Sequence, residues 1–318
     1  MYKPYQKVYG WLMAHLWPIG GGKGGSGKSF LTSSLGRLSA ELGKKTLVID
    51  LDLGSANLHT LVGVPYPQKG LSDFIRKKIS RLEDAVVETP QANLFLISGA
   101  HDNFDIANLP YEQKIKTLRA ITKLKYERIL LDLGAGTSFN TLDFFLISQN
   151  GIFITTPEPT SVENVYRLIR AIYFRRIRYC FNASQFKALE SETDRQFGNG
   201  AMNKPIYMMK MIAKTDVEKY RQLQEEFGAY RFKLVINQVR KHDNTALGLQ
   251  MSRMMERHLG LHVEFAGNVA YDDHVHDAIC QQVCFLERYS YTKTAGDLRE
   301  VGKQVVHATG RQLMLHYM

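Results

Sequence analysis

Apolar residues in this chain fall into short unbroken runs separated by longer stretches with helical spacing. Leu16 to Ile19 is one such run, and it leads straight into glycines. The stretch Lys28 to Leu42 reads as a helix that Gly43 ends in the left-handed region. Lys45 to Leu51 is apolar nearly throughout, the pattern of a strand covered on both faces. Pro65, Pro67 and Gly70 mark a loop, and Leu71 to Ile75 a short helix. Asn93 to Ser98 is expected as a strand, Tyr111 to Leu124 as an amphipathic helix, and Ile129 to Asp132 as a strand end. Gly151 to Thr156 and Leu234 to Gln238 complete the strands. Strands alternating with helices predict an α/β fold, three-layer and doubly wound on a mostly parallel sheet.

Far more chain separates Glu158 from Asn237 than one helical crossover needs, so residues about 179–231 are expected to be a helical insertion. Residues 1–12 read as a poorly ordered extension. Residues 13–318 read as a single domain closed by a C-terminal helix at about 294–316.

The 318 residues are 44% hydrophobic, enough for a large core, and carry a net charge of +10. That charge makes an anionic partner plausible without choosing between DNA and an acidic membrane surface. Three cysteines, Cys180, Cys280 and Cys284, are too few for a disulfide framework and fit a cytoplasmic chain. Cys280 and Cys284 read as small hydrophobes on one helical face, since no second Cys/His pair stands at zinc spacing. No run reaches the ~18 apolar residues of a membrane span, and the start lacks the form of a secretory signal.

The chemistry concentrates at Gly22-Lys23-Gly24-Gly25-Ser26-Gly27-Lys28-Ser29, a P-loop placed between a strand and a helix. Glycines let consecutive N–H groups turn around phosphate oxygens, and the helix that starts there adds its positive end. Lys28 can reach the β- and γ-phosphates, and the Ser29 hydroxyl can ligate Mg²⁺. Asp132 ends an apolar strand as the acid of a Walker B pattern, placed to hold Mg²⁺ directly or through water. Gly134 and Gly136 follow, where the chain can rearrange with the γ-phosphate.

Lys23 has no work in an ordinary P-loop. The form Lys-Gly-Gly-x-Gly-Lys-Ser resembles the deviant P-loop of the MinD/ParA family, of SIMIBI-type P-loop NTPase fold. The resemblance implies that Lys23 reaches the partner's nucleotide across an ATP-dependent homodimer. It also implies that the stretch from Gly22 through Phe30 binds nucleotide. Asp50-Leu51-Asp52-Leu53-Gly54-Ser55-Ala56-Asn57 resembles the family's second-strand signature. There Asp50 supports the P-loop, Asp52 orients the attacking water beside the metal, and Asn57 belongs to the γ-phosphate switch. By the same resemblance Asn237 bonds the adenine edge and Asp272 lies in the last nucleotide-side loop, where Ala270 replaces the usual proline. Thr155-Thr156-Pro157-Glu158-Pro159-Thr160-Ser161 resembles the FlhG (FleN) branch, which controls flagellar number and placement, as do Ile106 to Leu109 and Leu133 to Ser138. Asn164 stands where relatives carry an aspartate near the signature lysine.

The function expected is a slow Mg²⁺-dependent ATPase switch that positions or counts a cellular structure, flagella first among them, and is stimulated by an unidentified protein. A partition or cargo-positioning ATPase of ParA type is the alternative. An ATP-dependent ligase or synthase and an iron–sulfur carrier of the same fold are disfavoured; no cysteine precedes Tyr179. For the anionic partner two segments compete. Arg167, Arg170, Arg175, Arg176 and Arg178 interleave with Tyr166, Tyr173, Phe174 and Tyr179, a pattern that suits nucleic acid. Leu298, Val301 and Val305 share one face of the terminal helix, which is expected to leave the domain and lie on an anionic membrane at the inner cell surface. The membrane is weighed ahead of DNA.

Overall fold

The structure is a computed structural model, and it describes residues 15–99 and 109–306. The motif residues 106–108, residues 1–12 and the chain past 306 lie outside the described residues.

Eight strands form one sheet: β1 (Leu16–Gly21), β2 (Thr46–Leu51), β3 (Val87–Glu88), β4 (Leu94–Ile97), β5 (Arg128–Leu133), β6 (Asn150–Thr155), β7 (Arg231–Val239) and β8 (Val263–Ala270). Their order is β3-β4-β2-β5-β1-β6-β7-β8, with every neighbour parallel except the short edge strand β3. The central strand β1 lies between β5 and β6. Alternate residues feed opposite faces, as the pleat demands. Leu47, Ile49, Leu131 and Phe153 enter one core; Val48, Leu130, Ile152 and Ile154 enter the other.

The smaller core is covered by α1 (Lys28–Glu41), α11 (His274–Cys280), α12 (Phe285–Arg288) and α13 (Lys293–Val306). The larger takes α3 (Leu71–Ile75), α4 (Tyr111–Ile121), α5 (Phe139–Phe145), α6 (Pro159–Tyr179) and α10 (Leu247–Leu259). It also takes three helices in the long β6–β7 connection: α7 (Ala183–Phe197), α8 (Pro205–Thr215) and α9 (Val217–Ala229). A four-residue helix α2 (Leu58–Leu61) follows the strand-end loop of β2. The doubly wound sheet with helices on both faces is the architecture expected from the sequence. Met208, Met209, Met211 and Ile212 of α8 are buried core residues.

Three expectations are corrected. The apolar face of α13 is not free to leave the domain: Leu298, Val301 and Val305 are each 0% exposed and pack on α1 and β8. Gly302 permits that contact, because a Cβ there would meet the Leu38 side chain at 2.8 Å. In α6, Arg175 forks onto Asp143 at 2.8 and 2.9 Å, and Arg176 pairs with Glu226 of α9. Tyr173 is buried and stacked on Phe227, so this side of α6 is interior. Finally, Cys280 and Cys284 do not share a helix face: α11 ends at Cys280, and Cys284 precedes α12. Among the described residues no helix is long and apolar enough to cross a membrane.

Candidate functional site

Parallel pairing carries the ends of β1, β2 and β5 to one rim of the sheet. Ile19 stands opposite Asp132, and Asp132 opposite Asp50. Ligands of open α/β sheets bind beyond such strand ends, beside the point where strand order reverses.

The glycine-rich loop leaves β1 and turns into α1 at Gly27, whose φ of 91° is left-handed. A side chain at Gly27 would collide with Asn237 Nδ2 at 2.1 Å, and one at Gly22 with the Asn164 carbonyl carbon at 2.1 Å. By contrast, a Cβ on Gly24 or Gly25 would meet nothing within 4 Å. The loop is thus locked from behind and open in front. Gly136 N donates to Gly21 O at 3.2 Å, tying the turn after β5 to the same loop.

Lys28 is buried at the base of the loop, whereas Lys23 is exposed at its tip. Burial pushes the Asp132 carboxyl up to about 6, against the pull of a Ser29 hydrogen bond and the nearby Lys28 charge. Asp132 Oδ1 accepts from Thr32 Oγ1 at 3.4 Å, and Oδ2 is buried with no hydrogen-bond partner. The buried Ser26 hydroxyl is likewise without one. The orphaned Asp132 oxygen and the neighbouring Ser29 hydroxyl are the donor set a hard cation takes, so these two residues fit Mg²⁺.

Asp50 is fully buried, and its pKa is raised by that burial and then by the charge of Asp132. Its two oxygens accept from the N–H groups of Asp52 and Leu58, both at 3.1 Å, which fixes the intervening loop. Asp52 is half-buried, and a Cβ on Gly134 would lie 3.4 Å from its Oδ1, so the expected water-orienting carboxylate and the first of the two switch glycines are neighbours.

The structure therefore gathers Gly22 to Ser29, Asp50, Asp52, Asp132, Gly134, Gly136 and Asn237 at one rim. Three other residues from the sequence reading do local work. Phe30 is a core residue, edge-on to Phe285 at 5.3 Å. Asn57 is exposed and donates to Ser55 O at 3.0 Å. Asp272 Oδ1 caps the start of α11 by bonding His274 N at 3.0 Å and its ring Nδ1 at 2.7 Å. Burial raises the Asp272 carboxyl, but the His274 bonds outweigh it and leave the pKa lowered.

Sequence reasoning missed two supports. Asn237 Nδ2 donates to Ser26 O at 2.9 Å, and Gln238 Nε2 donates to Gly25 O at 2.8 Å, so β7 grips the loop with two consecutive amides. Gln238 adopts φ 59°, a strained value for a side-chain-bearing residue, and its sequence gives no sign of it. Ser161 Oγ accepts from Thr155 Oγ1 at 2.9 Å and from Thr156 N at 3.2 Å, which shapes the turn into α6. Two hydroxyl residues six apart were visible in the sequence but carried no distinctive spacing.

Comparison with known proteins places the chain among nucleotide-binding relatives. The family pattern described as CobQ/CobB/MinD/ParA nucleotide binding domain matches residues 18–284. Antiactivator FleN of Pseudomonas aeruginosa is 21% identical over 290 residues, covering 90% of this chain and 84% of FleN. The septum site-determining protein MinD of Buchnera aphidicola is 27% identical over 162 residues, half of this chain and 59% of its own length. Among solved structures, MinD of Pyrococcus horikoshii in complex with Mg-ADP aligns with a TM-score of 0.62 at 19% identity, over 93% of this chain and 97% of that one.

Proposed function

We propose that this chain, which belongs to the CobQ/CobB/MinD/ParA nucleotide-binding family, is a slow ATPase switch whose nucleotide state controls dimerisation and partner binding. The observation that carries the reading is the division of labour between two lysines of one loop. Lys28 is buried beside Asp132, where it serves the chain's own nucleotide; Lys23 is exposed at the tip, where an internal role is hard to find.

The residues take the following parts. Backbone N–H groups from Gly24 to Ser29 cradle the phosphates, with Lys28 neutralising the β- and γ-oxygens. Ser29 and Asp132 would hold Mg²⁺, whose chemistry there would be to neutralise phosphate charge. Asp52, facing Gly134, orients a water for in-line attack, and Lys23 of a second copy stabilises the charge that develops. Asn237 presents its free carbonyl oxygen toward the base while its amide holds the loop. The Asp50 bonds to Asp52 and Leu58 keep the water-orienting segment in register.

Similarity to an antiactivator over nearly the whole chain supports a regulatory rather than a biosynthetic role, with the number or placement of flagella as the first process to examine. Arg175 and Arg176 of α6 and the apolar face of α13 do not support an anionic-surface contact, since the fold uses them.

Light scattering tests the switch. Asp52→Ala with Mg-ATP should run as a dimer and with ADP as a monomer. A mass indifferent to nucleotide in that variant would sink the in-trans role of Lys23.

A further inference from the structure

A second surface stands apart from the nucleotide rim. An open groove of about 620 Å³ runs between α4 and the segment 76–85. None of the phosphate-loop or strand-end residues lines it. Its lining is apolar where Ile115 and Ala120 reach the surface beside the buried Phe74 and Leu82, and its rim carries Arg81, Lys116, Arg119 and Lys123. The approach to it is also basic, because Arg76, Lys77 and Lys78 are all exposed.

The rim cations are not consumed by the fold. Among the described residues Arg119 and Lys123 hold no ion pair, and Arg81 has only a loose one with Glu83 at 3.7 Å. The exposed Lys116 ammonium lies over the Phe74 ring at 4.3 Å, a cation–π contact that leaves it without a carboxylate partner among the described residues. Exposed cations lined up beside an apolar trough need a partner carrying both chemistries.

The spacing narrows the partner. Lys116 and Arg119 stand three apart on α4 and form one stripe with a rise of about 4.5 Å, and Lys123 continues the basic edge just past the helix end at Ile121. A second helix with carboxylates at the same spacing meets that stripe in register, while its apolar face fills the trough. A nucleic-acid backbone has no apolar face for Ile115 and Ala120. It would also set phosphates against Glu83 and Glu112, which line the same groove. A peptide can place neutral side chains opposite those two.

We propose that the groove between α4 and residues 76–85 docks an acidic amphipathic helix of a partner protein. The surface does not involve the nucleotide site, so it stands whether or not the ATPase reading holds.

The test uses the full chain and a fluorescein-labelled synthetic peptide of about 20 residues, made of Glu, Leu, Ala and Gln with Leu on one face, long enough to span about 30 Å as a helix. Fluorescence anisotropy should show binding that weakens with salt. It should weaken roughly tenfold or more in the Lys116→Glu, Arg119→Glu, Lys123→Glu triple variant. All three side chains are exposed, so the variant should keep the parent melting temperature. A peptide of the same composition with Leu and Glu scrambled should bind at least about tenfold more weakly. Equal binding of the scrambled peptide, or equal binding by the triple variant, overturns the proposal. So does binding of a short DNA duplex that the triple variant loses while the helical peptide fails to bind.

Discussion

Asp50 and Asp132 sit directly opposite each other in the β2–β5 ladder, two carboxylates sealed from solvent at 0% and 1% exposure. They are not duplicates. Asp50 spends both oxygens on backbone N–H groups, whereas Asp132 keeps Oδ2 without a protein partner. One builds the loop; the other keeps an oxygen to offer.

Asp132→Asn should therefore separate metal from nucleotide. Calorimetry on the parent should show ADP binding strengthened by Mg²⁺. In the variant that Mg²⁺-dependent gain should fall by about tenfold or more, with metal-free ADP binding retained. An undiminished Mg²⁺ effect would remove Asp132 from the cation site.

Asp50→Asn should act on order instead. Its amide nitrogen cannot accept a bond, so one of the Asp52 and Leu58 N–H groups loses its partner, at a cost of about 1–3 kcal/mol. Hydrogen exchange at those two amides should accelerate while the rest of β2 stays protected. Unchanged protection at both would contradict the supporting role.

The two lysines should part company. Lys28→Ala should abolish nucleotide binding; Lys23→Ala should preserve it but lose ATP-dependent dimerisation and turnover. Normal hydrolysis by Lys23→Ala would mean that the exposed lysine is only solvated.

The two glycine types give a steric control. Gly22→Ala forces a Cβ onto the Asn164 backbone and should lower both melting temperature and ADP affinity. Gly24→Ala meets no protein atom, so its melting temperature should hold while ADP affinity falls roughly tenfold as the loop's open face fills.

A pH dependence follows from Asp143, which joins α4, α5 and α6 through Lys114, Arg175 and Tyr179. Burial would raise its carboxyl, but those three bonds prevail and the folded pKa is lowered. A lowered carboxylate stabilises the fold above its unfolded pKa of about 3.9, and that stability is lost as pH falls through the folded value. Asp143→Asn should cost about 3–5 kcal/mol at neutral pH by stranding the buried Lys114. Its melting temperature should also fall less steeply than the parent's below about pH 4. Parallel curves would dismiss the group.

Legibility in the sequence tracked how local each physical cause was. The phosphate loop could be read because its backbone shape is written in its own glycines, and the buried strands because unbroken apolar runs have few other uses. The face of α13 could not, because Leu298, Val301 and Val305 announce that something apolar covers them without saying what. A membrane and the back of α1 satisfy the same pattern. Arg175 and Arg176 looked available for phosphate because Asp143 and Glu226, which claim them, lie 32 and 50 residues away. Gln238 was invisible for the same reason: its role depends on a loop 213 residues earlier.

The position of β1 sets a timetable for synthesis. This strand emerges near the start of the chain, yet its hydrogen-bonding neighbours β5 and β6 begin at Arg128 and Asn150, and the amides gripping its loop come at Asn237 and Gln238. Such long loops must close before any contact rewards them, which slows parallel sheets. A nascent chain shorter than this holds the phosphate-binding residues in place but not their geometry. The growing polypeptide thus reaches Gln238 before the glycine-rich loop acquires a complete frame, and nucleotide can first act as a folding ligand only once that residue has been made.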